Sequence, residues 1–245
     1  MPDDIGECSA LEFIFLAGCR ALKFIPESIG SLPNLKDTLS LGEYDHIDQL
    51  PSQLGKCKQL GFLEIREWES LTLISTCIGG LANLKNLNIM DCYNLESLPD
   101  VLGNCQQLAS LEISNNHKLT HLPKSICKCR NLTTLELDQL KALCELPEML
   151  GACEQLKELN LRDCPKLEEL PESLGRCLKL AEIHLEGAGV QKLPSTLGEC
   201  LSLKILQIKQ CQLIEAIPES ITKCLNLKKL RITECHNLRR IPEHL

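Results

Sequence analysis

Aromatic side chains are scarce in this sequence: four Phe, two Tyr and one Trp among 245 residues. A core built on rings is excluded, so burial must rest on Leu, Ile and Cys within a hydrophobic fraction of 44%. Basic residues are not in excess, and the net charge is −7. That balance argues against nucleic acid or a membrane surface as the main partner, because both require a basic footprint. No uninterrupted apolar run approaches the roughly 20 residues of a membrane-spanning helix. The opening residues, Met1 to Cys8, have neither the basic nor the apolar region of a signal peptide. The expectation is a cytosolic chain. In that compartment the sixteen cysteines are thiols rather than disulfides, and Asn131-Leu132-Thr133 matches a glycosylation acceptor by accident.

Catalytic signatures are missing too. There is no G-x-x-x-x-G-K-[ST], no G-x-G-x-x-G and no G-x-S-x-G. Gly187-Ala188-Gly189 lacks the third glycine of a dinucleotide loop. No Cys-x-x-Cys occurs, so the paired spacing of structural zinc is absent, and Cys127-x-Cys129 is the nearest approach. His117 and His121 are four apart but straddle Leu119 in a turn, where solvent exposure is expected. The reading is non-enzymatic, with no cofactor and no metal.

What the sequence does have is a repeat. Prolines fall at Pro2, Pro26, Pro51, Pro99, Pro123, Pro147, Pro171, Pro194, Pro218 and Pro242. The intervals are 24 residues apart from one of 25, one of 23 and one of 48, the last being two periods with Ser75 in place of proline. Around each proline the phrase Leu-Pro-x-x-Leu-Gly-x-Cys-x-x-Leu-x-x-Leu-x-Leu-x-x-Cys recurs. In Leu108-x-x-Leu111-x-Ile113, Leu111 and Ile113 alternate with Ser110, Glu112 and Ser114, the period of a strand with one buried face. So short a strand is stable only as a rung stacked on identical neighbours, about 4.8 Å apart in a parallel sheet. Pro171 to Gly175 reads as a tight helical or 3₁₀ turn, with proline at its first position and glycine at its end. Bulkier turns opposite a closely spaced sheet bend the coil. The predicted fold is therefore an α/β leucine-rich-repeat solenoid: a curved right-handed coil with a parallel sheet on the concave side and short helical or 3₁₀ turns on the convex side. One domain, 1–245, of about ten 23–25-residue repeats without separate caps is expected. Leucines such as Leu135, Leu159 and Leu230 share an interior column, and Leu159→Asp is expected to disrupt several coils.

Cysteines form two columns. Cys8, Cys57, Cys105, Cys129, Cys153, Cys177, Cys200 and Cys224 each stand six residues after the start of their repeat. Cys19, Cys92, Cys164, Cys211 and Cys235 stand three residues after the last apolar strand residue, where one repeat has Asn116. Asparagine there bonds the turning backbone, and cysteine, a small buried residue with a weak S–H donor, substitutes for it.

Three outward columns line the sheet. The central one runs Phe15, Ser40, Glu64, Asn88, Glu112, Glu136, Asn160, His184, Gln207, Arg231. Before it run Phe13, Thr38, Phe62, Asn86, Ser110, Thr134, Glu158, Glu182, Ile205, Lys229, and after it Ala17, Gly42, Arg66, Met90, Ser114, Asp138, Arg162, Glu186, Lys209, Thr233. Aromatics cluster in the first coils, with Trp68 and Tyr93 expected nearby in exposed turns. The middle coils are acidic and the last ones basic: residues 195–245 hold 8 Lys and Arg against 5 Asp and Glu. Anchoring rings and segregated charge are features of recognition surfaces. The candidate protein-binding residues are Phe13, Phe15, Phe62, Glu64, Arg66, Glu112, Glu136, Asp138, Glu158, Arg162, Glu182, His184, Glu186, Lys209, Lys229 and Arg231, with a basic or bipolar protein surface as ligand.

Asp163-Cys-Pro-Lys-Leu-Glu-Glu-Leu-Pro-Glu-Ser-Leu-Gly175, Met90 to Pro99 and Lys209 to Pro218 resemble the leucine-rich-repeat regions of plant intracellular nucleotide-binding immune receptors. Glu186 to Pro194 is one residue shorter and lacks the cysteine, a mixture of turns common in such receptors. The resemblance implies repeats that sense pathogen proteins and hold a nucleotide-binding signalling module inactive, a module this sequence lacks. Two alternatives are a stand-alone scaffold of the Ras-associated type, whose repeats are more uniformly 23 residues with Asn in the turn, and the substrate-recognition repeats of a ubiquitin ligase. The chain begins at a repeat boundary and stops just inside the next repeat. Leu11, Ile14 and Leu16 at one end, and Leu227, Leu230 and Ile232 at the other, are therefore expected to lack a covering coil and to permit end-to-end self-association. Two irregularities stand out: the extra residue in Leu35-x-x-x-Leu39, read as a bulge, and the coil from Ser75, which has Leu81 in the cysteine column and reads as a drifted repeat.

Overall fold

The computed structural model describes residues 3–243; Pro2, the first column proline, lies outside the described residues. Ten strands follow one another along the chain: β1 (Ile14–Phe15), β2 (Thr38–Gly42), β3 (Phe62–Arg66), β4 (Asn86–Met90), β5 (Ser110–Ser114), β6 (Thr134–Asp138), β7 (Glu158–Arg162), β8 (Glu182–Glu186), β9 (Ile205–Lys209) and β10 (Lys229–Thr233). They form one parallel sheet in chain order, each strand pairing with the next. Every return segment with helical character is 3₁₀ among the described residues. The pleat sends alternate residues inward. Leu63 and Ile65 pack against Leu87 and Ile89, these against Leu111 and Ile113, and so on along one core. Burying each such side chain stabilises the coil by roughly 1.5–3 kcal/mol.

The turns depart from expectation in two details. Pro171 is not the first residue of its turn but stands just before it, extended (φ −67°, ψ 137°), and the 3₁₀ segment is Glu172–Arg176. Its fixed φ presets the entry, and its carbonyl accepts from Leu174 N at 3.0 Å. Gly175 does not end the turn by adopting a positive φ. A Cβ on it would lie 2.5 Å from the Thr196 carbonyl oxygen, so glycine is required by the close approach of the next coil. Where Ser75 replaces proline it keeps the same backbone shape (φ −59°, ψ 146°), and its hydroxyl accepts from Cys77 N.

Both cysteine columns carry hydrogen bonds between coils. In the first, each thiol from Cys57 onward reaches a carbonyl of the preceding turn: Cys57 to Ile29 at 3.3 Å, Cys105 to Ile78 at 3.3 Å and Cys200 to Leu174 at 3.4 Å. In the second, Cys164 reaches Leu137 O of the preceding coil at 3.7 Å as well as Arg162 O of its own strand at 3.4 Å, and Asn116 Nδ2 likewise donates to Ile89 O of the preceding coil at 2.9 Å and to Ser114 O at 2.7 Å. All the cysteines are free thiols, with Cys8, Cys19 and Cys144 exposed. Burial raises the thiol pKa of Cys57 and Cys105 to about 11 and of Cys129, Cys177 and Cys200 to about 12. Asn131 takes part in a third ladder, donating to Gln106 O at 2.9 Å as Asn34 and Asn226 do to Ser9 and Leu201.

The extra residue before β2 stands as a bulge. Lys36 and Asp37 both donate to Glu12 O, and their carbonyls accept separately from Gly61 N and Phe62 N. Of the six apolar end residues, Leu11, Leu16, Leu227, Leu230 and Ile232 are half-buried. Ile14, expected to be uncovered, is buried: it points inward, and its register partner is Leu39.

Candidate protein-binding face

The outer face of the sheet is built from the alternate strand positions that do not enter the core. Register places Phe15, Ser40, Glu64, Asn88, Glu112, Glu136, Asn160, His184, Gln207 and Arg231 in one row across all ten strands. Phe62, Glu158, Glu182 and Lys229 stand in the row before it, Phe13 being just ahead of β1; Arg66, Asp138, Arg162, Glu186 and Lys209 stand in the row after. Ser40 and Gly42 are buried and withdraw from this surface.

At one end Phe13 and Phe15 are 56% and 65% exposed and stack edge to face, centroids 5.9 Å apart. Phe62 is half-buried. Trp68, expected beside them in an exposed turn, is instead fully buried. It occupies the second cysteine column, three residues after Ile65, where its indole N–H donates to Ile47 O and its ring meets Tyr44 at 4.9 Å. The column needs a donor near the core, and an indole supplies one on a larger apolar body. Tyr93 remains exposed, against His117 at 5.3 Å. His121 is exposed and bonds Thr120 Oγ1.

The acidic middle is only partly compensated. Lys209 binds Glu186 at 2.7 Å and holds its carboxyl below the usual range. Arg66 pairs with Glu43 at 3.1 Å, and Arg162 approaches Asp138 and Asp163 at 3.9 Å. No described ion pair engages Glu112 or Glu136, which are direct register partners on β5 and β6. Glu112 accepts from Asn88 Nδ2 at 2.8 Å, and Glu64 accepts from the Ser40 hydroxyl. Partial burial, then the charges of Glu136, Glu64 and Asp138, push the Glu112 carboxyl above its ordinary value. Burial likewise raises Asp138, with Arg162 opposing. At the far end Lys229 and Arg231 are exposed, and neither appears in a described ion pair.

His184 lies at 3.2 Å from Glu182, and register brings Glu158 of β7 alongside, so the donor atoms of the three lie within 4.8 Å of one another. Spacing along one strand revealed Glu182 but not Glu158, which arrives from the neighbouring coil. Sequence reading also missed the residue that closes each strand. Glu43, Glu67, Asp91, Asn115, Gln139, Asp163, Gln210 and Glu234 all take a positive φ, between 48° and 57°. In all of these but Glu234, which follows the last strand, the N–H bonds the carbonyl that ends the next strand, as Asp91 N does to Ser114 O at 3.0 Å. Asp91, Asn115 and Asp163 are of types that tolerate the left-handed region, but the other five are Glu or Gln, so the position carries no uniform side-chain signal.

Known proteins share this architecture. The Leucine Rich Repeat family model matches residues 155–177. The leucine-rich-repeat domain of the type III effector XopL superposes with a TM-score of 0.74 at 24% identity, over 84% of this chain and 71% of that one. The fold is a leucine-rich-repeat solenoid. A structure of the Drosophila Toll–Spatzle complex matches with a TM-score of 0.82 at 22% identity, over 99% of this chain and 32% of that one. No curated protein matches the sequence. In leucine-rich-repeat terms, the matched residues 155–177 run from just before β7 to the column thiol of Cys177.

Proposed function

We propose that this solenoid is a non-catalytic recognition module whose outer sheet face takes a protein ligand with a basic or bipolar surface. The observation that carries the reading is the ordering of that face: exposed rings at one end, then carboxylates in the middle and cations at the other that have no ion-pair partner among the described residues. A merely wet surface has no reason to keep Glu112 and Glu136 side by side, since like charges directly opposite destabilise a sheet. Segregated charge steers a complementary partner and rejects others. The Toll structure, a complex with Spatzle, is in keeping with partner binding by this fold.

The finer reading rests on the cysteine-containing turns. These resemble the repeats of plant intracellular nucleotide-binding immune receptors, so we assign the chain to ligand sensing and autoinhibition in plant defence, in the cytoplasm, with a separate nucleotide-binding signalling module as its second partner. The test is crosslinking capture from plant cytosol, with Glu112, Glu136, Glu158 and Glu182 all changed to Lys as the control. The captured protein is then purified and titrated against both forms, and circular dichroism verifies the fold of each. Binding by the original and loss in the control is the expected result. Equal binding by both overturns the assignment of the face.

A further inference from the structure

The rings, the acids and the cations of the outer face lie in one continuous register row, and their spacing is fixed by the sheet. From Phe15 on β1 to Glu112 on β5 is four rungs, and from Glu136 on β6 to Arg231 on β10 is four more. At about 4.8 Å per rung each interval is roughly 19 Å, the reach of about six residues of extended chain at roughly 3.3 Å each. Resting on the recognition reading above, we infer that the ligand's docking segment is an extended stretch of protein crossing the strands, with an apolar anchor, a pair of cationic residues about six residues on, and an acidic residue about six further.

Each element of that order has a counterpart. Phe13 and Phe15 offer an exposed edge-to-face pair to the apolar anchor. The cationic pair falls between Glu112 and Glu136, the registered carboxylates that no Lys or Arg of the described residues neutralises. Arg66, Arg162 and Lys209 do not compete for the acidic residue, because Glu43, Asp138 with Asp163, and Glu186 already engage them. That leaves Lys229 and Arg231 to receive it. A second copy of this chain is a poor occupant. Laid face to face and antiparallel, two such faces bring the central acids of one onto those of the other. Nucleic acid is opposed by the same carboxylates.

Synthetic peptides test the order directly. The first carries Trp-Leu, five Gly/Ser residues, Arg-Arg, five Gly/Ser residues and Glu-Glu; a second has the same sequence reversed, covering both chain directions. In a third and fourth the Arg and Glu pairs are exchanged. All are fluorescein-labelled and titrated by anisotropy at low salt. At least one of the first two is expected to bind about tenfold tighter than its exchanged partner. That preference is expected to fall at least fivefold in the double variant Glu112→Gln/Glu136→Gln, and affinity to fall similarly in Phe13→Ser/Phe15→Ser. The inference is overturned if order makes no difference, if the double variant keeps the preference, or if no peptide binds. The broader recognition reading fails separately, through the purified captured protein binding the four-lysine form unchanged.

Discussion

Gly175→Ala is a substitution whose sign depends on how the coils stack. Alanine in a helical turn ordinarily stabilises a protein by about 0.4–1 kcal/mol, by restricting the unfolded chain, and nothing in the φ of Gly175 forbids it. The next coil does. The new Cβ would stand 2.5 Å from the Thr196 carbonyl oxygen and 2.6 Å from its Cβ, and the first of these is backbone that cannot rotate away. Overpacking of this kind costs about 1–3 kcal/mol. The net expectation is destabilisation by about 1–2 kcal/mol, which lowers Tm by about 2–8 °C in a chain of this size. Thermal unfolding followed by far-UV circular dichroism reads it. An unchanged or raised Tm for Gly175→Ala would refute the claim that glycine is there to let the 3₁₀ turns approach.

Other consequences follow from the ladders between coils. Asn116→Ala removes the side-chain donor shared by the carbonyls of Ile89 and Ser114, the latter keeping only Asp91 N, and is expected to cost about 1–3 kcal/mol in urea unfolding; Asn116→Cys, the usual occupant of that column, is expected to recover part of the loss. Glu172 clamps the next turn by accepting from Ser195 N at 3.0 Å and Thr196 N at 3.2 Å. Burial acts to raise its carboxyl, but these N–H groups and the two hydroxyls outweigh it and hold the pKa below the ordinary 4.5. A folded pKa below the unfolded one contributes stability that is present above 4.5 and is lost as pH falls through the folded value. Glu172→Gln is therefore expected to lower Tm at pH 7 by an amount worth under about 1 kcal/mol, and by progressively less as pH falls below 4.5 and through the folded value. In the native protein, a thiol reagent at pH 7.5 is expected to modify Cys8, Cys19 and Cys144 promptly and the buried column slowly, since the thiolate is the reactive form; all sixteen react once urea unfolds the chain. Prompt modification of Cys129 or Cys200 would contradict the buried ladder.

The repeat made most of the fold legible. A period of 24 residues and an alternating Leu111-x-Ile113 fixed the strand positions, and with them the rows of the outer face, because parallel stacking admits one register when the interior residues are fixed. What escaped were features set by contact between coils rather than by pattern within one. Trp68 looks like a surface ring until its place in the cysteine column is noticed, and Gly175 looks like a turn terminator until the next coil lies against it. Glu158 joins His184 only through a neighbouring strand. The column of positive φ is hidden because its residues are diverse, sharing a backbone shape rather than a side chain. The grouping of rings, acids and cations on the face was legible as a pattern of types. Which cations are already engaged was not, since Arg66 pairs with Glu43 from the coil before it, a contact that depends on side-chain geometry.

The most direct test of the recognition face is carbodiimide labelling of carboxylates, with and without the captured protein ligand, read out by mass spectrometry. Protection is predicted at Glu112, Glu136 and Glu158, with the turn-side carboxylates Glu148, Glu199 and Glu219 labelled equally in both states. Protection of the turn side with Glu112 and Glu136 still labelled would contradict the account and move the binding surface to the opposite side of the coil.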